Sequence, residues 1–225
     1  MEFVLIRHAQ PEWIRDDRNV VNPPLTELGH TQAERLAKAL DGESFDEMYV
    51  SPLTRTRQTA APVLTALGYD ETIEPWLEEI RDPDWHGEPS EGAIKAFTAL
   101  RQRVSVDQWN GLPGGEPMHE FVARVRTGGI DFLERKGIRP ADGDLPVWQI
   151  DEPGRRIGLI AHGGTNSVFT CLLLGLTPTP WEWDRIVMRH ASISRLIALP
   201  IGDGFVFSLS SLSDVEHLDA DQRTA

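Results

Sequence analysis

Arg7 and His8 stand together at the end of an apolar run, 3–6, and His162 stands at the end of another, 157–161. Gly163 and Gly164 follow the second histidine at once. Arg55 and Arg57 lie just behind Ser51 and Pro52, where a helix start is expected. An imidazole can attack or carry a proton near neutral pH. An arginine is a planar, permanent cation whose paired donors suit phosphate geometry. A helix start adds N–H donors for an anion. One histidine at a strand end is ordinary structure, but two on separate strand ends, with arginines beside them, point to chemistry on an anion. Arg57 reads as a solvated surface charge and Arg55 as the anchor.

These residues need a scaffold that brings two strand ends together. The run 3–6 reads as a buried strand. Ala33, Leu36, Ala37 and Leu40 recur at helical spacing and predict a helix over 26–40. A short strand is expected at 47–50. A helix follows from Ser51, with Pro52 at its first position, to Leu67, closed by Gly68. Residues 70–92 hold nine acidic residues and one arginine and read as an extended segment and loop. Ile94, Phe97, Leu100 and Val104 predict one helix; Phe121, Val122, Val125 and Phe132 predict another after a turn at 111–117. Residues 137–156, rich in Gly, Pro and Asp, read as a long connection. A strand at 157–161, a helix through Leu174, and strands at 193–199 and 205–209 complete the pattern.

That alternation predicts a single α/β domain over 1–212, with a doubly wound, mostly parallel sheet between two helix layers. A flexible tail is expected over 213–225. In such sheets ligands sit at the carboxyl ends of the strands, where His8 and His162 fall.

The composition narrows the partners. With 22 Lys+Arg against 35 Asp+Glu among 225 residues, the net charge is −13. That opposes binding to nucleic acid or to an anionic membrane surface. A few placed arginines can still reverse the field for a small anion. No targeting segment or membrane span is visible, and the one cysteine, Cys171, forms no internal disulfide, so a cytoplasmic location is expected. Cys171 reads as inert packing, and the sequence sets no oligomeric state, a homodimer being compatible with it. The seven histidines include no pair at metal-ligand spacing, so neither metal nor cofactor is expected.

Five blocks carry a family resemblance. Leu5-Ile6-Arg7-His8-Ala9-Gln10 resembles the Arg-His-Gly signature of the histidine phosphatase superfamily, also called the phosphoglycerate-mutase-like family. Pro24-Leu25-Thr26-Glu27-Leu28-Gly29 resembles its next block, and the stretch from Ser51 through Arg55 to Thr59 its Ser-x-Leu-x-Arg-x-x-x-Thr helix. Leu77-Glu78-Glu79-Ile80 is similar to the segment that holds the acid, and Ala161-His162-Gly163-Gly164-Thr165 to the second-histidine turn. The blocks come in the family's order.

The resemblance implies a metal-independent phosphomonoesterase acting on a small phosphorylated metabolite. His8 would attack phosphorus and become a phosphohistidine. Arg7, Arg55 and His162 would surround the phosphoryl oxygens. Glu79, with Glu78 as the alternate, would protonate the leaving alcohol and then activate water. Gln10, Trp13 and the backbone N–H of Gly163 would contact substrate. Trp13 and Trp85 are the tryptophans expected at the mouth; the rest read as packing. Specificity is expected from loops 11–24, 81–92 and 110–120.

Three features depart from the pattern. Ala9 replaces a glycine, which costs little unless φ is positive. Ile14 stands where mutases usually have an asparagine. Only 83 positions separate Glu79 from His162, with no equivalent of a mutase's basic segment. These favour a phosphatase, leaving a phosphoglycerate mutase and a non-catalytic anion-binding protein as rival readings. Cys171 is not followed five residues on by an arginine, and no Gly-Lys pair occurs, so cysteine-phosphatase and P-loop chemistry are not expected.

Overall fold

Residues 1–225 are described by a computed structural model. The first strand, β1 (Glu2–Arg7), shows how the sheet is built. Its side chains alternate sides: Phe3 and Leu5 enter one core, Val4 and Ile6 the other. Both faces are apolar, so the strand must lie between two layers. Phe3, Val4, Leu5 and Ile6 are fully buried. After β1 come a two-residue-per-strand hairpin, β2 (Ile14–Arg15) and β3 (Arg18–Asn19), helix α1 (Glu27–Ala39), strand β4 (Glu47–Val50) and helix α2 (Thr54–Leu67). Asp16 and Asp17 between β2 and β3 have φ of 51° and 59°, as a tight turn with two left-handed residues requires.

The second half contains α3 (Ser90–Arg101), α4 (Met118–Arg135), β5 (Ile138–Pro140), β6 (Trp148–Ile150), β7 (Arg156–Ala161), α5 (Gly163–Leu173), a single turn α6 (Glu182–Arg185), β8 (Ile193–Ile201) and β9 (Gly204–Asp214). The seven-stranded sheet has the order β4-β7-β1-β8-β9-β6-β5. Pairing is parallel across β4, β7 and β1 and antiparallel at every later step. Following the directions across the sheet, four strands run with β1, and only β8 and β6 run against it. The α/β class and its three layers match the expectation. Ala33, Leu36 and Ala37 of α1 and Ala60, Val63 and Leu64 of α2 cover one face. Phe121, Val125 and Phe132 of α4 and Val168, Phe169 and Leu172 of α5 cover the other. No helix is long and apolar enough to cross a membrane.

The structure corrects four readings. Pro52 is not inside α2; the helix begins at Thr54, whose N–H donates 2.8 Å to Asn22 Oδ1. The connection 137–156 contains the β5–β6 hairpin, which extends the sheet edge. The helix marked by Ile94 and Phe97 exists, but it belongs to neither core: Ile94 is 57% and Phe97 45% exposed, and Val104 lies beyond its end. The expected flexible tail over 213–225 is docked. Val215 and Leu218 are buried, and the Gln32 amide, from α1, donates 2.6 Å to the Gln222 carbonyl and 3.0 Å to Thr224 Oγ1. The polar composition of that segment hid two apolar anchors and a polar clamp.

Candidate active site

The parallel strands β4, β7 and β1 end side by side. Their register sets Arg7 beside Ala161 and Val50 beside Ile160. The next residue on each strand is therefore Ser51, His162 and His8. The ladder continues one step further, since His8 N–H donates 2.9 Å to the Ala161 carbonyl and Ser51 N–H 3.0 Å to the Ile160 carbonyl. The His8 and His162 rings lie 5.1 Å apart between centroids. Positions 154 apart in sequence thus meet because two buried strands pair.

Hydrogen bonding defines the His8 tautomer. Nδ1 lies 2.8 Å from the Ala9 carbonyl, which can only accept, so Nδ1 carries the proton. Nε2 then holds the lone pair, and Arg55 Nε donates to it at 3.3 Å. Burial first, then the charge of Arg55, hold His8 well below the usual imidazole range. It is neutral, as a nucleophile must be. Ala9 is not among the positive-φ residues, so its side chain is accommodated as expected. Its N–H is held by Thr59 Oγ1 at 2.9 Å.

The cations converge on the same point. Arg55 is 3% exposed, and its guanidinium lies over the Trp13 ring at 4.8 Å. Burial lowers Arg55 to about 10, which leaves it charged at neutral pH. Arg57, as expected, is a surface residue, paired with Glu71 at 2.8 Å. Arg7 is clamped through Nη1 to the Met188 carbonyl at 2.5 Å and through Nη2 to His190 Nε2 at 3.1 Å. Its Nε is buried without a partner, as is Nδ1 of His162, whose Nε2 meets Ser51 Oγ at 2.7 Å. A buried unsatisfied donor costs roughly 1–3 kcal/mol, so Arg7 Nε favours an incoming oxygen, as does His162 Nδ1 when Ser51 Oγ–H donates to Nε2 and Nδ1 carries the proton. His162 too is held well below the usual range, by burial first and then by Arg55.

Glu79 is brought to the cavity by the start of α5. Its Oε2 accepts from the Gly164 N–H at 2.8 Å and its Oε1 from the Ile80 N–H at 3.1 Å. A Cβ on Gly164 would come within 2.5 Å of Glu79 Oε1, so only glycine allows this approach. Arg124 fixes the backbone behind it, donating to the carbonyls of Glu78 and Glu79 at 3.0 and 3.2 Å. Glu78 instead pairs with Arg81 at 2.6 Å. Of the two carboxylates, Glu79 shares a cavity of about 390 Å³ with Arg7, His8, Arg55 and Gly163. Glu78 faces only the adjoining cavity.

Gln10 is not a lining residue of either cavity. Its Oε1 accepts from Thr26 Oγ1 at 2.8 Å, so it ties the first loop to the cap of α1. Trp13 does line both cavities, and Trp85 lines one. Trp181 and Trp183, read as packing, line the cavity as well. The three specificity loops contribute as expected, but α3 and residues 180–188 contribute too. No group of three or more His, Cys, Asp and Glu is placed to hold a metal ion.

Sequence reasoning missed His190 and Asp82. His190 Nδ1 meets Thr224 Oγ1 at 2.9 Å, which leaves Nε2 to accept from Arg7. Burial, then Arg7, lower it to about 3. It stands next to Ala191, whose φ of 54° is a rare conformation for a residue with a side chain. No local pattern marks it. Asp82 sits at the cavity mouth, open to solvent on one side and crowded by protein on the others. That crowding, then the charge of Glu79, raise it to about 6. Its signal was present in the acidic run but indistinct among nine carboxylates.

The comparisons with known proteins place this fold in a family. The family model described as histidine phosphatase superfamily (branch 1) matches residues 3–138. The probable phosphoglycerate mutase GpmB of Salmonella choleraesuis (strain SC-B67) is 29% identical over 232 residues, covering 98% of this chain and 96% of its own length. The mycobacterial glucosyl-3-phosphoglycerate phosphatase, solved with inorganic phosphate, is 26% identical with a TM-score of 0.69, over 97% of this chain and 99% of that one. The alpha-ribazole phosphatase of Shigella flexneri shares the fold at 23% identity and a TM-score of 0.70, over 95% of this chain and 96% of that one. The matched segment holds Arg7, His8, Arg55 and Glu79, and the chain belongs to the histidine phosphatase superfamily.

Proposed function

We propose that the protein is a phosphomonoesterase that works through a phosphohistidine on His8. One observation carries this reading. The lone pair of His8 Nε2 faces buried Arg55, Arg7 Nε is a buried donor with nothing to bond, and His162 Nδ1 is a buried ring nitrogen without a partner. A phosphoryl group satisfies all of them at once, taking over the Arg55 hydrogen bond to Nε2.

The step balances as two displacements. The Nε2 lone pair forms a P–N bond as the P–O bond to the alcohol breaks, and Glu79 gives its proton to the leaving oxygen. Water then attacks phosphorus, Glu79 takes the water's proton, and the P–N electron pair returns to Nε2. Arg7, Arg55, His162 and the Gly163 N–H stabilise charge on the equatorial oxygens. The carboxyl group of Glu79 is oriented at the cavity by the backbone N–H groups of Gly164 and Ile80.

The test is hydrolysis of nitrophenyl phosphate in EDTA, with quench in alkaline detergent and search for an acid-labile, base-stable phosphoprotein. Turnover in EDTA with that intermediate is expected. Loss of turnover on chelation, restored by Mg²⁺ or Zn²⁺, would overturn the metal-free mechanism. A mutase would instead interconvert phosphoglycerates and need a bisphosphate primer; primer-dependent isomerisation that outpaces hydrolysis would replace this reading.

A further inference from the structure

The cavity has two chemically opposite ends. At its floor Arg7 and Arg55 supply positive charge to one phosphoryl group. Away from the floor the walls carry large apolar side chains, Trp13, Phe97, Leu100, Leu112, Trp181 and Val187, among charged ones. The adjoining cavity, of about 410 Å³, shares Trp13 and Phe97 and adds Ile94 and Trp85. Trp85 and Phe97 meet edge to face at 5.9 Å. Helix α3 offers Ile94 and Phe97 to this space.

The charges of the mouth point the same way. Beyond Arg7 and Arg55, the first cavity is lined by two cations, Arg81 and Arg101. Each is already paired, with Glu78 at 2.6 Å and with Asp184 at 3.0 Å. Against them stand Glu79, Asp82, Glu116 and Asp184 on the same lining, and Asp82 has no ion-pair partner. A second anionic group on the substrate would meet no free cation and a net negative wall, at distances where such repulsion is felt.

We propose that the substrate is the phosphate monoester of an uncharged alcohol with a bulky apolar body, seated against Trp13, Phe97, Leu100, Trp181 and Trp183. The inference rests on the hydrolase reading and names the class of alcohol that reading leaves open. Cavities of this size hold drug-sized ligands, of roughly 300–1,000 Å³. Each methylene removed from water contributes about fourfold in binding, from roughly 0.8 kcal/mol per buried CH₂.

The experiment compares primary alkyl phosphates, so that the leaving oxygen is chemically alike throughout. 2-(1-Naphthyl)ethyl phosphate should exceed ethyl phosphate in kcat/KM by about 100-fold or more, on the scale of buried apolar area. 3-Phosphoglycerate should fall at or below ethyl phosphate, and phosphocholine below the naphthylethyl ester. Phe97→Asp should cut the naphthylethyl-to-ethyl ratio at least about tenfold, a ratio that is independent of the folded fraction. Asp184→Asn, which unpairs Arg101, should raise the rate on 3-phosphoglycerate relative to ethyl phosphate. Equal rates on the two alkyl esters, or a preference for 3-phosphoglycerate or phosphocholine, would overturn the proposal. Binding of the matching phosphonates by calorimetry reads the mouth without turnover. If no ester is hydrolysed the phosphatase reading falls, and the phosphonate ratio still decides this one.

Discussion

The floor and the mouth of the cavity are built on opposite principles. The floor is made by three parallel strands ending together, and its polar groups are buried, neutral or clamped: His8, His162 and His190 are all at most 5% exposed. The mouth is made by α3, the β2–β3 hairpin and residues 180–188, with large apolar side chains left half open: Trp13 at 43% and Val187 at 52%. A close-packed floor holds reacting atoms in fixed geometry. A loosely joined mouth can accept different bodies behind the same phosphate. Helix α3 is tied down by few contacts, among them Ser90 N–H to the Asp17 carbonyl at 2.9 Å and Arg101 to Asp184. On the proposed reading, reaction and selection fall to separate parts of this fold.

The largest effect should come from the floor. His8→Ala is expected to abolish turnover and phosphoenzyme together, measured by quench labelling; labelling of the variant would remove His8 as nucleophile. Glu79→Gln comes next. In single turnover it should slow release of an alkyl alcohol by roughly 10²–10⁴-fold, the range of general-acid catalysis. Release of nitrophenolate, a good leaving group, should slow much less. Equal losses would mean that Glu79 positions phosphate only. Glu78→Gln, which touches Arg81 and not the floor, should change neither rate by an order of magnitude.

A smaller effect separates clamp from chemistry. His190→Ala removes the acceptor on Arg7 Nη2, and a lost hydrogen bond to a charged group is worth roughly 1.5–3 kcal/mol. The Ki for inorganic phosphate should rise about tenfold or more, while His190→Gln, which keeps an acceptor, recovers part of it. No change in Ki would reduce His190 to packing.

The smallest and most diagnostic difference is in pH dependence, where floor and mouth have opposite signs. The floor histidines have folded-state values below their unfolded one, near 6.5. The unfolded chain therefore binds more protons below pH 6.5, and stability is lost as pH falls, by up to about 1.4 kcal/mol per pH unit for each proton. Asp82 is raised to about 6 from an ordinary value of 3.8. Its contribution is full below 3.8 and lost as pH rises through 6. In urea titrations Asp82→Asn should therefore gain stability above pH 6, and His190→Gln should flatten the loss below 6.5. The same sign in both variants would erase the distinction.

Much of the floor was legible in the sequence. Arg7, His8 and His162 stand at the ends of apolar runs, and such runs make buried parallel strands whose ends hold ligands. Glu79 was legible only through its motif, and the Gly164 N–H, which meets Glu79 and not Glu78, favours it as the acid. Gln10 was misread because its neighbourhood in sequence is the site, whereas its side chain turns to Thr26.

The sequence by itself determined the α/β class, the two covered faces of the sheet and the pair of histidines, because these follow from local periodicity and from which residues end each strand. Tertiary structure alone decided the rest. Apolar spacing on α3 reads the same whether the face meets a core or a cavity, since period says which side is apolar and nothing of what lies opposite. The docking of 213–225 and the clamp from Thr224 through His190 to Arg7 join positions 217 residues apart, and no local pattern encodes a contact whose partners meet only after the sheet has formed.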